Sequence, residues 1–266
     1  MYRLLFLCGL AIAAPAAADD NFTQSVPDSV TDWSGFRAGV FGGTINSSGQ
    51  AKRTDFTGAL LSLDVQDGLF PDSISGLDTS FTGGAAVGYD VQKGRWVVGA
   101  EADISYANHD VNHYYSRIDP YNTTTNPHPI NPAFAGLQTN TTYRTKFGTL
   151  ATARLRGGIS FERNMVYATA GLAYGKVANR FSLALPGLGY ASPDWSDEGW
   201  KLGYAIGVGY EHKLTSRITM RMEALAVDLA DTTIHAVDPV SFPGQTIDYT
   251  FSNRAIIGRF GIMVAF

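Results

Sequence analysis

Asn253-Arg-Ala-Ile-Ile-Gly-Arg-Phe-Gly-Ile-Met-Val-Ala-Phe266 decides the fold. Counting back in twos from Phe266 gives Val264, Ile262, Phe260, Gly258 and Ile256. The alternate set is Ala265, Met263, Gly261, Arg259 and Ile257. A β-strand places these two sets on opposite faces. One face is apolar and closes on an aromatic; the other mixes small residues with an arginine. A soluble sheet buries its apolar face in a core. A transmembrane barrel turns that face to lipid and keeps small and charged residues for its lumen.

The alternation recurs along the chain. Strands are expected near residues 33–46, 80–91, 96–107, 143–161, 165–176, 200–211, 218–231 and 249–266. The sixth is the cleanest: Trp200, Leu202, Tyr204, Ile206, Val208 and Tyr210 alternate with Lys201, Gly203, Ala205, Gly207, Gly209 and Glu211. Short turns are expected at 92–95, 162–164 and 212–217. Long loops are expected at 47–78, 108–142, 177–198 and 232–248. Tyr249 and Phe251 have inward parity, so a bulge or rim position is possible at the start of the last strand.

Eight strands with alternating short and long connections predict an all-β fold, an eight-stranded antiparallel transmembrane β-barrel with short periplasmic turns and four long extracellular loops. Each strand is near the about 9 to 11 residues that a tilted strand needs to cross a bilayer. Outward aromatics mark two levels: Tyr106, Tyr174 and Trp200 near the loops, and Trp96, Phe161, Tyr210 and Phe266 near the turns. Such girdles suit two membrane interfaces. The soluble competitor is a lipocalin-like barrel with the opposite pattern. Arg154, Arg156, Glu101 and Asp103 at inward positions argue against it, because an apolar core would not accept them.

Residues 1–18 read as a cleavable signal peptide: a basic start, an apolar run from Leu4 to Ala14, and an Ala-x-Ala end. Residues 19–32 read as a flexible periplasmic lead-in, and 33–266 as the barrel domain. The single cysteine, Cys8, lies in the signal, so the mature chain has no thiolate metal site or disulfide. Twenty-nine Gly beside 15 Phe and 13 Tyr suit a β protein with narrow interior positions. A net charge of −4 argues against nucleic acid as a partner.

Several segments resemble the eight-stranded outer-membrane β-barrel family of Gram-negative surface antigens, of the opacity-protein and OmpA-transmembrane type. They are Trp33-Ser-Gly-Phe36, Gly83-Gly-Ala-Ala-Val-Gly-Tyr89, Val98-Gly-Ala-Glu-Ala-Asp103, Tyr167-Ala-Thr-Ala-Gly-Leu-Ala-Tyr-Gly-Lys176, Arg221-Met-Glu-Ala-Leu225 and the terminal strand. The resemblance implies the cell outer membrane as location, with outer-membrane lipid, lipopolysaccharide and the outer-membrane assembly machinery as partners. It implies that Phe260, Ile262, Val264 and Phe266 form the assembly signal. The family includes structural barrels, adhesins and haem-binding surface proteins, so it does not specify an activity. No periplasmic anchoring domain is expected after residue 266.

The inward charges are Arg37, Asp90, Lys146, Lys201 and Glu211 together with Glu101, Asp103, Arg154, Arg156, Arg221, Glu223 and Arg259. An eight-stranded barrel has little room beyond its side chains, so these are expected to pair as a structural plug. The alternative is a narrow ion path through the same network. Glu101 and Asp103 share a face, but facing arginines would keep them ionised, which suits structure better than acid catalysis. His109-Asp110 and His235 with Ser241 are the nearest catalytic candidates, and neither lies in a known motif. The chain is therefore read as a non-enzyme. His109, His113 and His128 fall in one expected loop and are candidates for a metal or haem ligand, against solvated loop histidines. No cofactor is expected. The four loops, the last counted from Asp231, together carry nine more acidic than basic residues, a surface that should repel polyanions.

The expected function is an envelope-stabilising or surface-interacting barrel. A surface receptor or adhesin with haem- or host-ligand-binding loops is the first alternative. A small-pore, porin-like channel is the second.

Overall fold

A computed structural model describes residues 32–47, 49–118 and 136–266. The predicted signal peptide, most of the lead-in, and His128 lie outside these residues. Eight long strands form an antiparallel ring: β1 (Gly35–Ser47), β4 (Asp78–Lys93), β5 (Trp96–Ile118), β6 (Gln138–Phe161), β7 (Asn164–Leu185), β9 (Trp195–Lys213), β10 (Ile218–Val237) and β11 (Thr246–Ala265). β1 pairs with β11, from Arg37↔Ala265 to Ser47↔Ala255, and closes the ring. The first long connection contains β2 (Ala51–Thr57), helix α1 (Ala59–Gln66) and β3 (Ser73–Ile74); the third contains β8 (Tyr190–Ala191).

One row of register partners gives the barrel's stagger. It starts at Asp228 and passes through Tyr204, Leu172, Ala153, Ala102, Val87, Ala38 and Val264. It returns to β10 at Ile218, ten residues below its start. A shear of this size in eight strands tilts them by about 40° and leaves an interior that side chains fill.

The wall alternates along every strand. Outward apolar side chains are exposed, among them Val40 at 65%, Leu155 at 71%, Leu172 at 62% and Ile256 at 63%. Monomeric soluble proteins rarely leave so much continuous apolar wall uncovered. The inward set is buried. Several inward glycines are required by close backbone approach. A Cβ on Gly203 would lie 2.0 Å from the Asp228 carbonyl oxygen, and one on Gly171 would lie 2.1 Å from that of Ala153.

Where the sequence predicts long loops, the structure has strands. β5 and β6 run for 23 and 24 residues, about twice the span of a bilayer. Three register shifts mark where they leave the apolar band: between Tyr106 and His109, Phe147 and Leu150, and Leu229 and Thr232. Bulges bend and twist a strand, and above these three the round barrel divides. The β4–β5 pairing ends at Thr82↔Ala107 and the β9–β10 pairing at Gly203↔Leu229. β5, β6, β7 and β9 continue as one sheet; β10, β11, β2 and β3 form the other. Tyr143 and Phe181 from the first sheet pack on Tyr249 from the second at 4.9 and 5.0 Å. Leu61, Leu69 and Phe70, from α1 and the segment after it, complete this core. Tyr249 and Phe251 are thus fully buried inward residues; the register breaks against β2 between Asp248 and Tyr249, at the start of β11, and again against β10 between Leu229 and Thr232.

The β6 bulge also corrects an inward position. Lys146 faces outward and is exposed, whereas Phe147 faces inward and is buried. The extra residue reverses the parity of everything above it.

Candidate functional site

The turn-side half of the lumen contains a closed charge cluster. Five arginines enter it: Arg37 on β1, Arg154 and Arg156 on β6, Arg221 on β10 and Arg259 on β11. Five carboxylates meet them: Asp90 on β4, Glu101 and Asp103 on β5, Glu211 on β9 and Glu223 on β10. The remaining wall strand, β7, contributes Tyr167. Its hydroxyl donates to Glu223 Oε1 at 2.9 Å, and its ring lies 4.1 Å from the Arg156 guanidinium. All eight strands are therefore cross-linked through their side chains.

Glu101 is the hub. It faces Arg37 at 3.0 Å, Arg154 at 2.9 Å, Arg221 at 2.7 Å, and Arg156 and Arg259 at 3.8 Å. Glu211 takes Arg37, Arg156 and Arg221 at 2.9, 2.8 and 2.7 Å. Asp103 takes Arg154 and Arg259 at 2.8 and 3.1 Å. Glu223 takes Arg154 at 3.0 Å and Arg259 at 2.5 Å. Equal numbers of charges and this many contacts are what burial demands, because an uncompensated charge here would be costly. Arg156 reaches Glu101 only at 3.8 Å and makes its closest contact with Glu211, on the next strand but one.

Above the charges lies an apolar layer built from Ile45, Phe147, Val177, Leu225, Val227, Leu229 and Ile257. Its cavity is about 10 Å³, room for about one water. Higher still, His109 is fully buried between two hydroxyls, with Nε2 2.8 Å from Ser47 Oγ and Nδ1 2.9 Å from Ser80 Oγ. Asn179 donates to Asn253 at 3.1 Å in the same region. Below the charges, a recess of about 530 Å³ opens at the turn-side mouth, lined by Trp33, Arg37, Asp90, Glu211 and Lys213 among others.

Of the three candidate loop histidines, two lie among the described residues. His109 and His113 lie on β5, and both ring nitrogens of His109 are already engaged. The His109-Asp110 dyad does not form either. Asp110 points to the opposite face and binds Arg144, which holds its carboxyl below the usual range. His235 meets Asp248 on the adjacent strand at 2.8 Å, not Ser241. Among the described residues no group of three or more His, Cys, Asp or Glu is placed to hold a metal ion. Lys201, inward by parity, lies above the cluster and pairs with Asp197 on its own strand at 2.6 Å. The part of Tyr167 was not read from the sequence; its one signal is an aromatic at inward parity between Val166 and Ala168.

An eight-stranded antiparallel ring with an apolar outer band and a charged lumen is the architecture of bacterial outer-membrane proteins. Residues 4–253 match the outer membrane protein beta-barrel domain family, and the chain belongs to it. It is an outer-membrane β-barrel protein. It is similar to the 31 kDa outer-membrane immunogenic protein of Brucella melitensis, 28% identical over 240 residues that cover 88% of this chain and 87% of that protein. It is also similar to the 22 kDa outer membrane protein of Rhizobium leguminosarum, 29% identical over 144 residues, 54% of this chain and 50% of the other. Among solved structures it resembles the outer membrane protein OprG of Pseudomonas aeruginosa, with a TM-score of 0.47, 14% identity, and coverage of 88% of this chain and 96% of that one.

Proposed function

We propose that this protein is a sealed surface barrel of the outer membrane, with a structural and surface-presenting role and no catalytic activity. The observation that carries the reading is the filled lumen. A cross-linked charge layer lies beneath an apolar layer whose cavity is about 10 Å³. Ions meet a barrier at an apolar constriction because it dewets, and a substrate finds no space beside Glu101 or Asp103. On this reading the two-sheet extension is the part that faces the exterior, and antibodies or host molecules would meet it first. A relative named as immunogenic agrees with that placement.

The outward face of β11, with Phe260, Ile262, Val264 and Phe266, is assigned to recognition by the assembly machinery. The Phe266 ring lies 6.0 Å from that of Phe36 across the closing seam.

A planar-bilayer recording on refolded protein, with a haem titration alongside, tests the reading. Silence in both assays is the expected result. Discrete conductance steps would replace it with the small-pore reading. Saturable haem binding would replace it with the receptor reading, through a site other than the enclosed His109.

A further inference from the structure

The barrel and the two-sheet extension meet at a joint where side chains take over from the ladder. β4 stops pairing with β5 at Thr82↔Ala107, and the register shift between Tyr106 and His109 carries β5 out of the apolar band. The next inward side chain on β5 is His109, which is fully buried. Its Nε2 lies 2.8 Å from Ser47 Oγ on β1, and its Nδ1 lies 2.9 Å from Ser80 Oγ on β4. β1 and β4 end their own pairing at Ser47↔Asp78. One imidazole therefore ties β5, where it enters the extension, to the last rungs of two barrel strands.

A neutral imidazole suits this place. It donates from one ring nitrogen and accepts at the other, and a hydroxyl serves in either role. An imidazolium does not suit it, because both contacts are uncharged and a buried charge without a partner is costly. Phe147 on β6 lies 6.0 Å away, ring to ring, and Ile45 and Ala107 are buried in the same apolar cluster as Phe147. Burial holds the ring below its ordinary value. The charged neighbours can be taken in turn. Asp110, next along β5, faces outward, is bound by Arg144 and has Lys146 as its register partner on β6. His113, beyond Val111 on the inward face of β5, is enclosed by Gly49 and Gly76. Asp78 stands on the same face of β4 as Ser80, one position higher, and is exposed to water.

We propose that His109 is an acid-released pin between barrel and extension. On gaining a proton from water it leaves Ser80, moves one step up β4 to the Asp78 carboxylate, and lets the upper arm of β5 part from β1 and β4. Only hydrogen bonds change in this step. Histidine is the side chain whose charge changes in the physiological range, and a switch needs a joint that its charge biases. The sign follows from burial. A histidine depressed in the folded form favours the closed joint above its unfolded value, near 6.5, and loses that effect as pH falls below it. The joint is closed at neutral pH and opens toward pH 5. The charge cluster lies beneath the apolar layer and takes no part, so a bilayer recording at neutral pH tests the sealed lumen separately.

The test is amide hydrogen exchange on the full-length protein, refolded in detergent micelles and read by mass spectrometry at about pH 7.5 and pH 5.0 after correction for intrinsic exchange. Residues 107–113, 44–47 and 78–82 should lose protection by about thirtyfold at the lower pH, the factor by which an imidazole of pKa about 6.5 is charged there. His109→Gln, whose amide also donates and accepts, should keep the protection seen at neutral pH and lose the acid effect. Asp78→Asn should move the transition to lower pH. His113→Gln and His235→Gln should leave it in place. Heat-modifiable mobility verifies that each variant is folded; should His109→Gln fail to fold, Asp78→Asn decides. Equal protection of the wild type at both pH values overturns the proposal, as does an acid effect retained by His109→Gln or unmoved by Asp78→Asn. An acid loss spread equally over β9 and β11 would be general unfolding and would overturn it too.

Discussion

Glu101 and Arg154 are register partners on β5 and β6, and Arg154 Nη2 lies 2.9 Å from Glu101 Oε1 inside the barrel. The same carboxylate has all five lumen arginines within 3.8 Å. Removing its charge leaves the cluster one carboxylate short in a closed interior. Glu101→Gln should therefore destabilise the barrel by about 3–5 kcal/mol, the range for breaking a buried pair. The urea midpoint of the refolded protein measures it. Glu198→Gln, which breaks an exposed pair with Lys176, should leave the midpoint unchanged. Equal midpoints for both variants would mean that the cluster does not hold the barrel together.

Gly203 and the Asp228 carbonyl make a packing prediction. A Cβ at Gly203 would stand 2.0 Å from that oxygen, and both atoms belong to main chain that the ladder fixes. Gly203→Ala should slow or abolish folding into detergent micelles. Gly94→Ala tests a turn glycine instead: there a Cβ meets nothing within 4 Å, but φ is +62°. It should fold, with a loss of about 1–2 kcal/mol. Normal folding of Gly203→Ala would show that the strands can separate locally without cost.

Phe266 closes the last strand against the first: its backbone N–H donates to the Phe36 carbonyl at 3.0 Å. Its side chain is exposed and stands on the outward face with Phe260, Ile262 and Val264. Deleting Phe266 should sharply reduce the heat-modifiable form in the outer-membrane fraction. An unchanged amount would remove the assembly role from this strand.

Above the membrane, Tyr190 donates to Asp238 Oδ2 at 2.6 Å and ties the β7–β9 tip to the β10–β11 connection. The backbone N–H of Ser241, then the Tyr190 hydroxyl, hold the Asp238 carboxyl down at about 2. Burial, then the bond to Asp238, pushes the Tyr190 hydroxyl up to about 12. A depressed carboxyl favours the folded form above its unfolded value and loses that effect as pH falls through about 2. A raised phenol loses its effect as pH rises from 10.0 toward about 12. The tie should hold between these limits. Ultraviolet titration of wild type against Tyr190→Phe should show the missing group ionising near the upper limit, and Asp238→Asn should move it down. An ordinary value in the wild type would mean that the tie is absent in solution.

The membrane-spanning half was legible in the sequence because its two environments differ so much. Lipid requires apolar residues outside, and a narrow lumen requires small or paired charged ones, so β9 and β11 show the period of two without interruption. Above the band that contrast is lost. Water on the outside and an aromatic core inside permit Thr, Asn, Tyr and Asp on both faces, and residues 138–147 carry no clean alternation. The bulges also break the count at the level where the environment changes, which put Lys146 on the wrong face. The aromatic core could not be assembled in advance, because Tyr143, Phe181 and Tyr249 come from strands distant in sequence. His109 looked like a loop residue for the same reason: β5 continues through it.

A wall that faces lipid surrounds a lumen closed to water. Single spin labels on a cysteine-free background test both parts, and the chain's one native cysteine is Cys8. One set replaces outward residues Ile104, Leu155, Leu172, Ile206 and Ile256; the other replaces Ala205, Leu225, Val227 and Ile257 of the apolar layer. The measurement is collision with a lipid-soluble relaxer, oxygen, and with a water-soluble one, a nickel chelate. The outward set should collide with oxygen alone, and the inward set with neither. Nickel reaching the inward set would reveal a water-filled pore, and nickel reaching the outward set would contradict the membrane-spanning wall itself.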